Sequence, residues 1–227
     1  MTIFKFALMR GFKGTLALVF NILLPIGVIL FRPLWTDGDT GFFLLAFLFM
    51  NVAFIMSQSI LKDKTDGSVI RILSAPVTLF NYLFQNMLAC LVPMLIQTLL
   101  VGILGFAVYG WEVGFTLGII LTYTLFSMTS IAFSFAWHTL FTKSENSNAA
   151  FMTILTFLGF LGGLFIRLSY LPNVLFYSGA LFPAHWISRS LDTLLSYGVT
   201  PHFWLFQFIL VFFCGIFLLF GGKRKMI

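Results

Sequence analysis

Long apolar stretches alternate with short polar ones along the chain, and this pattern predicts six membrane-spanning helices. A hydrocarbon core of about 30 Å requires about 20 apolar residues in helical form. Stretches of about this length occur at residues 15–31, 41–61, 80–108, 113–137, 149–168 and 203–221. We therefore expect an all-α membrane protein in which residues 1–227 form a single transmembrane domain.

The composition excludes an ordinary soluble domain. Hydrophobic residues make up 60% of the chain and charged residues 9%, and the mean hydropathy is +1.04. A buried soluble core of this size would leave too few polar residues to cover it. The net charge of +6 does not indicate a nucleic-acid partner, because the basic residues lie at predicted membrane edges and suit anionic lipid. Cys90 and Cys214 lie inside predicted spans, where we expect buried thiols rather than a disulfide or metal pair.

The distribution of basic residues predicts the orientation. With the N-terminus placed inside, ten of the thirteen Lys and Arg residues lie on the inner side. The outer loops hold only Arg32, Arg167 and Arg189. Lys and Arg in short loops favour the cytoplasmic side, so both termini are expected in the cytoplasm. We expect a multi-pass protein of the plasma membrane, and the short chain suits a bacterial one.

Two segments outside the spans have helical character. In residues 1–14, Phe4, Ala7 and Leu8 share a stripe while the basic residues point away from it, which predicts a short helix in the cytoplasmic interface; a disordered basic N-terminus is the alternative. Residues 169–202 are apolar but are interrupted by Pro and Gly, so they are too broken to span the membrane. Short re-entrant helices dipping into the outer leaflet are predicted there, with a plain linker as the alternative. Arg189 and Asp192, three residues apart, are expected to pair.

The spans carry little reactive chemistry. Carboxylates are missing from their middles, whereas an ion-coupled transporter normally keeps them there. His138, His185 and His202 are not at metal-ligand spacing, and no P-loop motif occurs. An intramembrane enzyme is therefore disfavoured. The chain is passive, structural, or driven by a separate subunit.

Neutral polar residues suggest where a pathway would run. Asn51, Phe54, Ile55 and Gln58 fall on one face of the second span at helical spacing, and Thr153 and Thr156 lie in the fifth span. Such residues can line a route for an amphipathic molecule. Hydrogen bonding between neighbouring helices is the alternative.

The connection between the second and third spans holds the densest charge cluster. Lys62, Asp63, Lys64, Asp66 and Arg71 lie within ten residues. The pair at 66–67, Asp-Gly, predicts a turn, and residues 68–74 form a short amphipathic run that the Pro at position 76 ends. A short helix in a charged loop can dock on a soluble partner, and an ordinary solvated loop is the alternative.

The order of these features resembles the membrane (permease) subunit of a type-2 ABC exporter. The residues that carry the resemblance in the loop are Asp63, Gly67, Ser68, Leu73, Ser74 and Pro76. LFTKSENSNAA (140–150) is similar to the family's inner loop before the fifth span, and LFPAHWISRSLDTLL (181–195) to its segment between the fifth and sixth. The family often has Glu at the position of Asp63 and Thr at that of Ser68.

The resemblance implies an ATP-driven exporter with a coupling loop at 62–78. A separate cytosolic ATP-binding subunit would hold ATP and Mg and would contact the loop, and a second membrane chain, the same or related, would complete the transporter. The implied contacts to the ATP-binding subunit are Asp63, Asp66, Gly67, Ser68, Arg71, Leu73 and Pro76. The second and fifth spans would line the pathway through Asn51, Phe54, Ile55, Gln58, Thr153 and Thr156. The outer segment would close the exit through Pro183, Trp186, Arg189 and Asp192.

The expected cargo is hydrophobic or amphipathic, such as a drug, an antimicrobial peptide or a lipid, because the chain contains 31 Phe residues. No catalytic residue, metal ligand or cofactor is expected on this chain. The alternative function is a non-transport membrane sensor or assembly module that binds a cytosolic partner.

Overall fold

The structure is a computed structural model that describes residues 2–13, 23, 25–31, 39–74, 78–141 and 144–223. Every regular element within these ranges is helical, which confirms the all-α prediction. The α-helices are α1 (Thr2–Lys13), α2 (Thr40–Thr65), α3 (Ser68–Leu73), α4 (Leu79–Tyr109), α5 (Val113–Leu140), α6 (Ser144–Leu161), α7 (Asn173–Gly179), α8 (Pro183–Tyr197) and α9 (Pro201–Lys223). Residues 25–30 are also helical, and Leu168–Tyr170 form a 3-10 turn.

Four helices of the described chain are long and apolar enough to cross a membrane. They are α2, α4, α5 and α9, which match the predicted second, third, fourth and sixth spans. Most of the predicted first span, 15–31, lies outside the described residues. The prediction of six spans and of cytoplasmic termini therefore remains a prediction.

The predicted fifth span, 149–168, extends beyond the C-terminal end of the observed helix. Helix α6 begins at Ser144 and ends at Leu161, whereas the apolar run continues to residue 168. The chain turns at Gly162 and at Gly163, which has a φ of 78°, and a side chain at position 163 would overlap Leu168. The apolar part of α6, from position 149 onwards, is about 20 Å long at 1.5 Å per residue.

Helix α5 lies at the centre of the bundle and packs against α2, α4, α8 and α9. Its hydroxyl groups bind backbone carbonyls of neighbouring helices. The Tyr123 hydroxyl donates to the Phe42 carbonyl of α2 at 2.6 Å, and the Thr129 hydroxyl donates to the Leu210 carbonyl of α9 at 2.9 Å. Such bonds satisfy hydroxyl groups that have no water to bind inside a membrane.

Short helices join or flank the spans. Helix α1 packs against α4, which confirms a helix near the N-terminus. Between α6 and α9 the chain forms the 3-10 turn, α7 and α8, which confirms short helices in the broken segment. Whether they dip into the leaflet remains a prediction. Cys90 and Cys214 are both buried and free, as expected from their positions in α4 and α9.

Candidate functional site

A short helix, α3, is present where the coupling helix is predicted, between the C-terminal end of α2 and the N-terminal end of α4. A turn at Asp66 and Gly67 separates α2 from α3, and Gly67 has a φ of 69°, a left-handed conformation that glycine adopts without strain. Val69 is 1% exposed and packs in the core, whereas Arg71 is exposed. Helix α3 therefore has one side fixed to the bundle and one charged side open.

Most predicted contact residues in this loop are accessible. Asp66 and Arg71 are exposed, and Gly67 and Ser68 are half-buried. The Arg71 guanidinium donates to the Ser68 hydroxyl at 3.3 Å, within the same helix. The side chain of Leu73 and the whole of Pro76 lie outside the described part of the chain.

Asp63 differs from its neighbours, because its carboxylate is used inside the protein. Arg10 of α1 binds its Oδ1 at 2.8 Å, and the Tyr82 hydroxyl of α4 donates to its Oδ2 at 2.7 Å. Asp63 is only 8% exposed. The structure therefore places this predicted contact residue as an internal link between α1, α2 and α4, with little of it open to a separate protein.

Lys64 connects the same region to the central helix. Its ammonium donates to the carbonyls of Thr139 at 3.0 Å and Phe141 at 2.9 Å, at the end of α5. The last carbonyls of a helix lack partners within the helix and carry partial negative charge, so a cation there is favourable. Through Asp63 and Lys64, the last turn of α2, at the base of α3, is bonded to α1, α4 and α5.

A buried histidine near the C-terminal end of α5 forms a second junction between helices. His138 of α5 lies 3.0 Å from the Ser57 hydroxyl of α2 through Nε2, and 3.3 Å from the Ser147 hydroxyl of α6 through Nδ1. Its ring stacks on Phe54, with centroids 4.9 Å apart. Sequence reasoning noted His138 only as a histidine without metal-ligand spacing, and no local signal points to partners in two other helices.

The predicted pathway residues divide into two groups. Asn51, Ile55 and Gln58 are half-buried along one side of α2, and Thr153 and Thr156 are exposed on α6. Phe54, by contrast, is fully buried, with its ring stacked on Phe151 at a centroid distance of 3.7 Å. The structure thus places Phe54 in the interior of the single chain.

Hydrogen bonds of these polar groups are mostly local. Asn51 donates to the Phe47 carbonyl at 2.9 Å, and each Thr hydroxyl donates to the carbonyl four residues earlier. Gln58 is the exception, because its amide donates to the Asn148 side chain of α6 at 3.3 Å. This bond joins α2 to the first turns of α6.

The predicted outer gate residues all belong to α8. Pro183 is buried at the first position of the helix, and the Trp186 indole donates to the Ala180 carbonyl at 2.8 Å. The expected pairing of Arg189 with Asp192 is not found as a direct ion pair between these described residues, although the two charges interact at longer range. The Arg189 guanidinium lies over the rings of Phe176 and Phe206.

A neutral network that the sequence did not indicate joins α8 to the spans. The Gln207 amide of α9 donates to Ser190 of α8 at 2.6 Å and to Thr122 of α5 at 3.0 Å. The two hydroxyl groups lie 3.3 Å apart. All three residues are buried, so this network fixes the position of α8 relative to the bundle.

Burial alters the titration of two groups in α8. Desolvation, assisted by the positive charge of Arg189, lowers the pKa of His185 to about 4. Desolvation also raises the pKa of Asp192 above its usual range. Both shifts favour the uncharged form, as expected where water is scarce.

Comparison with known proteins identifies a related family. A family model described as "ABC-2 family transporter protein" matches residues 39–223. The match begins just before α2 and ends with α9, so it includes the α2–α3 turn and the short helices α7 and α8. Comparison with curated proteins gives no match.

Proposed function

The chain belongs to the ABC-2 family of transporter proteins, and on that basis we propose that it is the permease subunit of an ATP-driven exporter. Its cargo would be hydrophobic or amphipathic, such as a drug, an antimicrobial peptide or a lipid. A separate cytosolic subunit would bind and hydrolyse ATP with Mg, and a second membrane chain, the same or related, would complete the pathway. The complex would reside in a plasma membrane, most simply a bacterial one.

The bonding at the base of α3 is the observation that supports this proposal. An ATP-binding subunit that presses on α3 would act on the exposed side that carries Arg71, while Val69 fixes the other side to the bundle. The displacement would pass through Asp63 to α1 and α4, and through Lys64 to α5. Rigid-body switching of this kind needs a firm mechanical link rather than a reactive side chain.

The pathway is assigned to the half-buried side of α2 and the exposed side of α6. Asn51, Ile55 and Gln58 would meet the cargo from α2, and Thr153 and Thr156 from α6. Phe54 would act indirectly, since its stacking on Phe151 holds the two helices together. A second membrane chain facing these surfaces would enclose a route with neutral polar groups in apolar walls.

Helix α8 is assigned as the outer gate. Its position depends on Gln207 and on the rings around Arg189, so movement of α9 or α5 would move α8. Opening on the outer side would then follow a shift that begins at α3. Pro183, Trp186, Arg189 and Asp192 would take part through the position of this helix.

A charge reversal on α3 tests the proposal. The chain would be co-purified with an ATP-binding protein encoded beside it, and ATP turnover would be measured in lipid. Arg71→Glu is expected to weaken retention of that subunit and ATP turnover by about tenfold, because it opposes charges at a contact surface. The matched control is Lys223→Glu, at the same predicted membrane side but at the end of α9, which should leave both values near wild type.

The result that would contradict the proposal is full assembly and turnover in Arg71→Glu. The alternative of a sensor or assembly module makes a separate prediction. A module would retain its cytosolic partner but would not drive ATP-dependent accumulation of a lipophilic dye in inverted vesicles, whereas an exporter would.

A further inference from the structure

Arg189 carries a positive charge that has no acceptor among the described residues. Its guanidinium lies 5.5 Å from the ring centre of Phe176 and 5.4 Å from that of Phe206. None of its N–H groups makes a hydrogen bond or ion pair to the described part of the chain. Aromatic faces attract and orient a guanidinium without using its five donors. These donors are therefore oriented and available to a ligand.

A cavity of about 420 Å³ opens beside this guanidinium, between α8 and the start of α9. Its walls are formed by Arg189, Thr193, Tyr197, Thr200, His202 and Phe206. Three hydroxyl groups and an imidazole thus surround one cation. Asp192 does not line the cavity. Its carboxyl group interacts at longer range with the charges of Arg167, Arg189 and Asp39, but it makes no ion pair to Arg189 in the described part of the chain. These few polar groups in mainly apolar walls suit an anionic group that is attached to an apolar chain.

An apolar groove runs along the next face of α9. It has a volume of about 650 Å³ and is lined by Pro201, Trp204, Leu205, Phe208, Ile209 and Phe212. At 3.6 residues per turn, Leu205 and Ile209 lie on the helix surface directly beside His202 and Phe206 of the cavity. An anionic headgroup in the cavity would therefore have its hydrocarbon chain beside an apolar surface.

We propose that this cavity binds the phosphate of an anionic phospholipid from the outer leaflet, with an acyl chain lying along α9. Arg189 donates two parallel hydrogen bonds to the phosphate oxygens, the geometry in which arginine binds phosphate most strongly. Thr193 and Tyr197 donate to the remaining headgroup oxygens. The proposal requires only that the chain lies in a membrane with α8 at its surface. It is therefore tested separately from transport and from the ATP-binding subunit.

Lipid titration of the purified full-length chain tests the site. In mild detergent, binding of phosphatidylglycerol and phosphatidylcholine would be measured by native mass spectrometry. Both headgroups carry the phosphate, but the choline ammonium of phosphatidylcholine cancels its net negative charge and is repelled by Arg189. The wild type is therefore expected to bind phosphatidylglycerol about tenfold more tightly. Arg189→Gln is expected to remove this preference.

Two further variants make the result decisive. Tyr197 is 79% exposed, so Tyr197→Phe leaves the fold intact, and it should weaken phosphatidylglycerol binding about threefold by removing one hydroxyl donor. The matched control is Arg167→Gln, which removes another arginine of the outer side that lies near Asp39 instead. It should retain the preference for phosphatidylglycerol.

Three outcomes would overturn the proposal. An unchanged preference in Arg189→Gln would show that this arginine does not bind the headgroup. An equal loss in Arg167→Gln would show that overall surface charge, rather than the cavity, attracts the lipid. Displacement of the lipid by an equal concentration of free glycerol 3-phosphate would show that the acyl chain contributes nothing and that lipid is not the source of the phosphate.

Discussion

The two ends of the bundle are joined by different chemistry. At the end that carries α3, predicted to be the inner end, charged groups make the connections, as in the Asp63 carboxylate between Arg10 and Tyr82 and the Lys64 ammonium on the last carbonyls of α5. At the end that carries α8, predicted to be the outer end, neutral groups make them, as in the Gln207 amide between α8 and α5. A link that depends on charge is costly to break when one partner remains buried, whereas a neutral bond in a membrane protein contributes modestly.

This difference suits the proposed direction of force. In the proposed mechanism, the inner end must transmit a displacement of α3 to the rest of the bundle without deforming locally. The side-chain bonds of Asp63 and Lys64 there join four helices, α1, α2, α4 and α5. The outer end must change position, and its weaker bonds can re-form between neighbours. Variants at the two ends should therefore differ in how much stability they remove.

The largest effect is expected at the inner end, for Asp63→Ala. This substitution leaves the Tyr82 hydroxyl buried without its acceptor and removes the partner of Arg10. The buried Tyr82 hydroxyl left without its acceptor costs about 1 to 3 kcal/mol. Loss of the ion pair to the half-exposed Arg10 adds less than about 1 kcal/mol, because solvent screens it. We therefore expect a total loss of about 3 kcal/mol. Reversible unfolding of the chain in detergent would measure it.

Asp66→Ala is the matched control, because it removes a carboxylate from the same loop at an exposed position. It should change the free energy of unfolding by less than about 0.5 kcal/mol. Equal effects of the two substitutions would show that the Asp63 contacts do not hold α1 and α4 to α2.

The second largest loss of stability is expected for Gly162→Ala, because the turn after α6 packs closely against α8 at this position. A methyl group there would overlap the Ala184 Cβ and would approach backbone atoms of Leu158 and Ala184 to 2.7 and 2.8 Å. Backbone cannot move aside as a side chain can, so we expect a loss of about 2 kcal/mol. The same unfolding experiment would measure it.

Gly215→Ala in α9 is its control, because nothing lies within 4 Å of the added methyl group. Alanine favours the helix there by about 0.5 to 1 kcal/mol. A destabilised Gly215→Ala would indicate that glycine replacement itself, rather than contact with α8, explains the result.

Local sequence signals predicted the helices better than they predicted the side-chain contacts between them. The apolar runs predicted α2, α4, α5 and α9, and the Asp66-Gly67 turn predicted α3, because such patterns depend on residues near each other in the chain. The end of α6 was misjudged, since the apolar run continues beyond Gly162 and Gly163 and hydrophobicity alone does not show that the backbone turns there.

The side-chain partners depend on tertiary packing and could not be predicted. Arg10 and Asp63 are 53 positions apart, and either residue also suits a solvated loop. Phe54 shares a helical face with Asn51 on spacing alone, yet its large apolar ring is buried against Phe151. Arg189 was assigned to Asp192 by spacing, whereas the rings that hold it belong to α7 and α9.

The outer end should also respond to pH through His185. Its pKa in the folded protein is lowered to about 4 from a usual 6.5, so the unfolded chain binds more protons between these values. The contribution of His185 to the free energy of unfolding is therefore fully present above about pH 6.5. It is lost as the pH falls toward 4, by up to about 1.4 kcal/mol per pH unit. Denaturant unfolding across this range would measure the slope.

His185→Gln should remove that part of the slope. Asp192 contributes a slope of the opposite sign, because its raised pKa in the folded state favours folding at low pH. Both proteins contain Asp192, so the difference between their slopes isolates the contribution of His185. An identical slope in the two proteins would contradict a neutral buried His185.

The smallest effect concerns the neutral amides and compares two buried glutamines. Gln207→Leu removes the donations to Ser190 and Thr122 and should cost about 1 kcal/mol, within the range for polar contacts between membrane helices. In Gln97 of α4, neither side-chain polar atom has a partner among the described residues. Gln97→Leu should therefore be neutral or stabilising, since an apolar group of similar size replaces an unpaired buried amide. If both substitutions cost the same, the bonds of Gln207 do not hold α8, and its position would depend on packing, as at Gly162 and around Arg189.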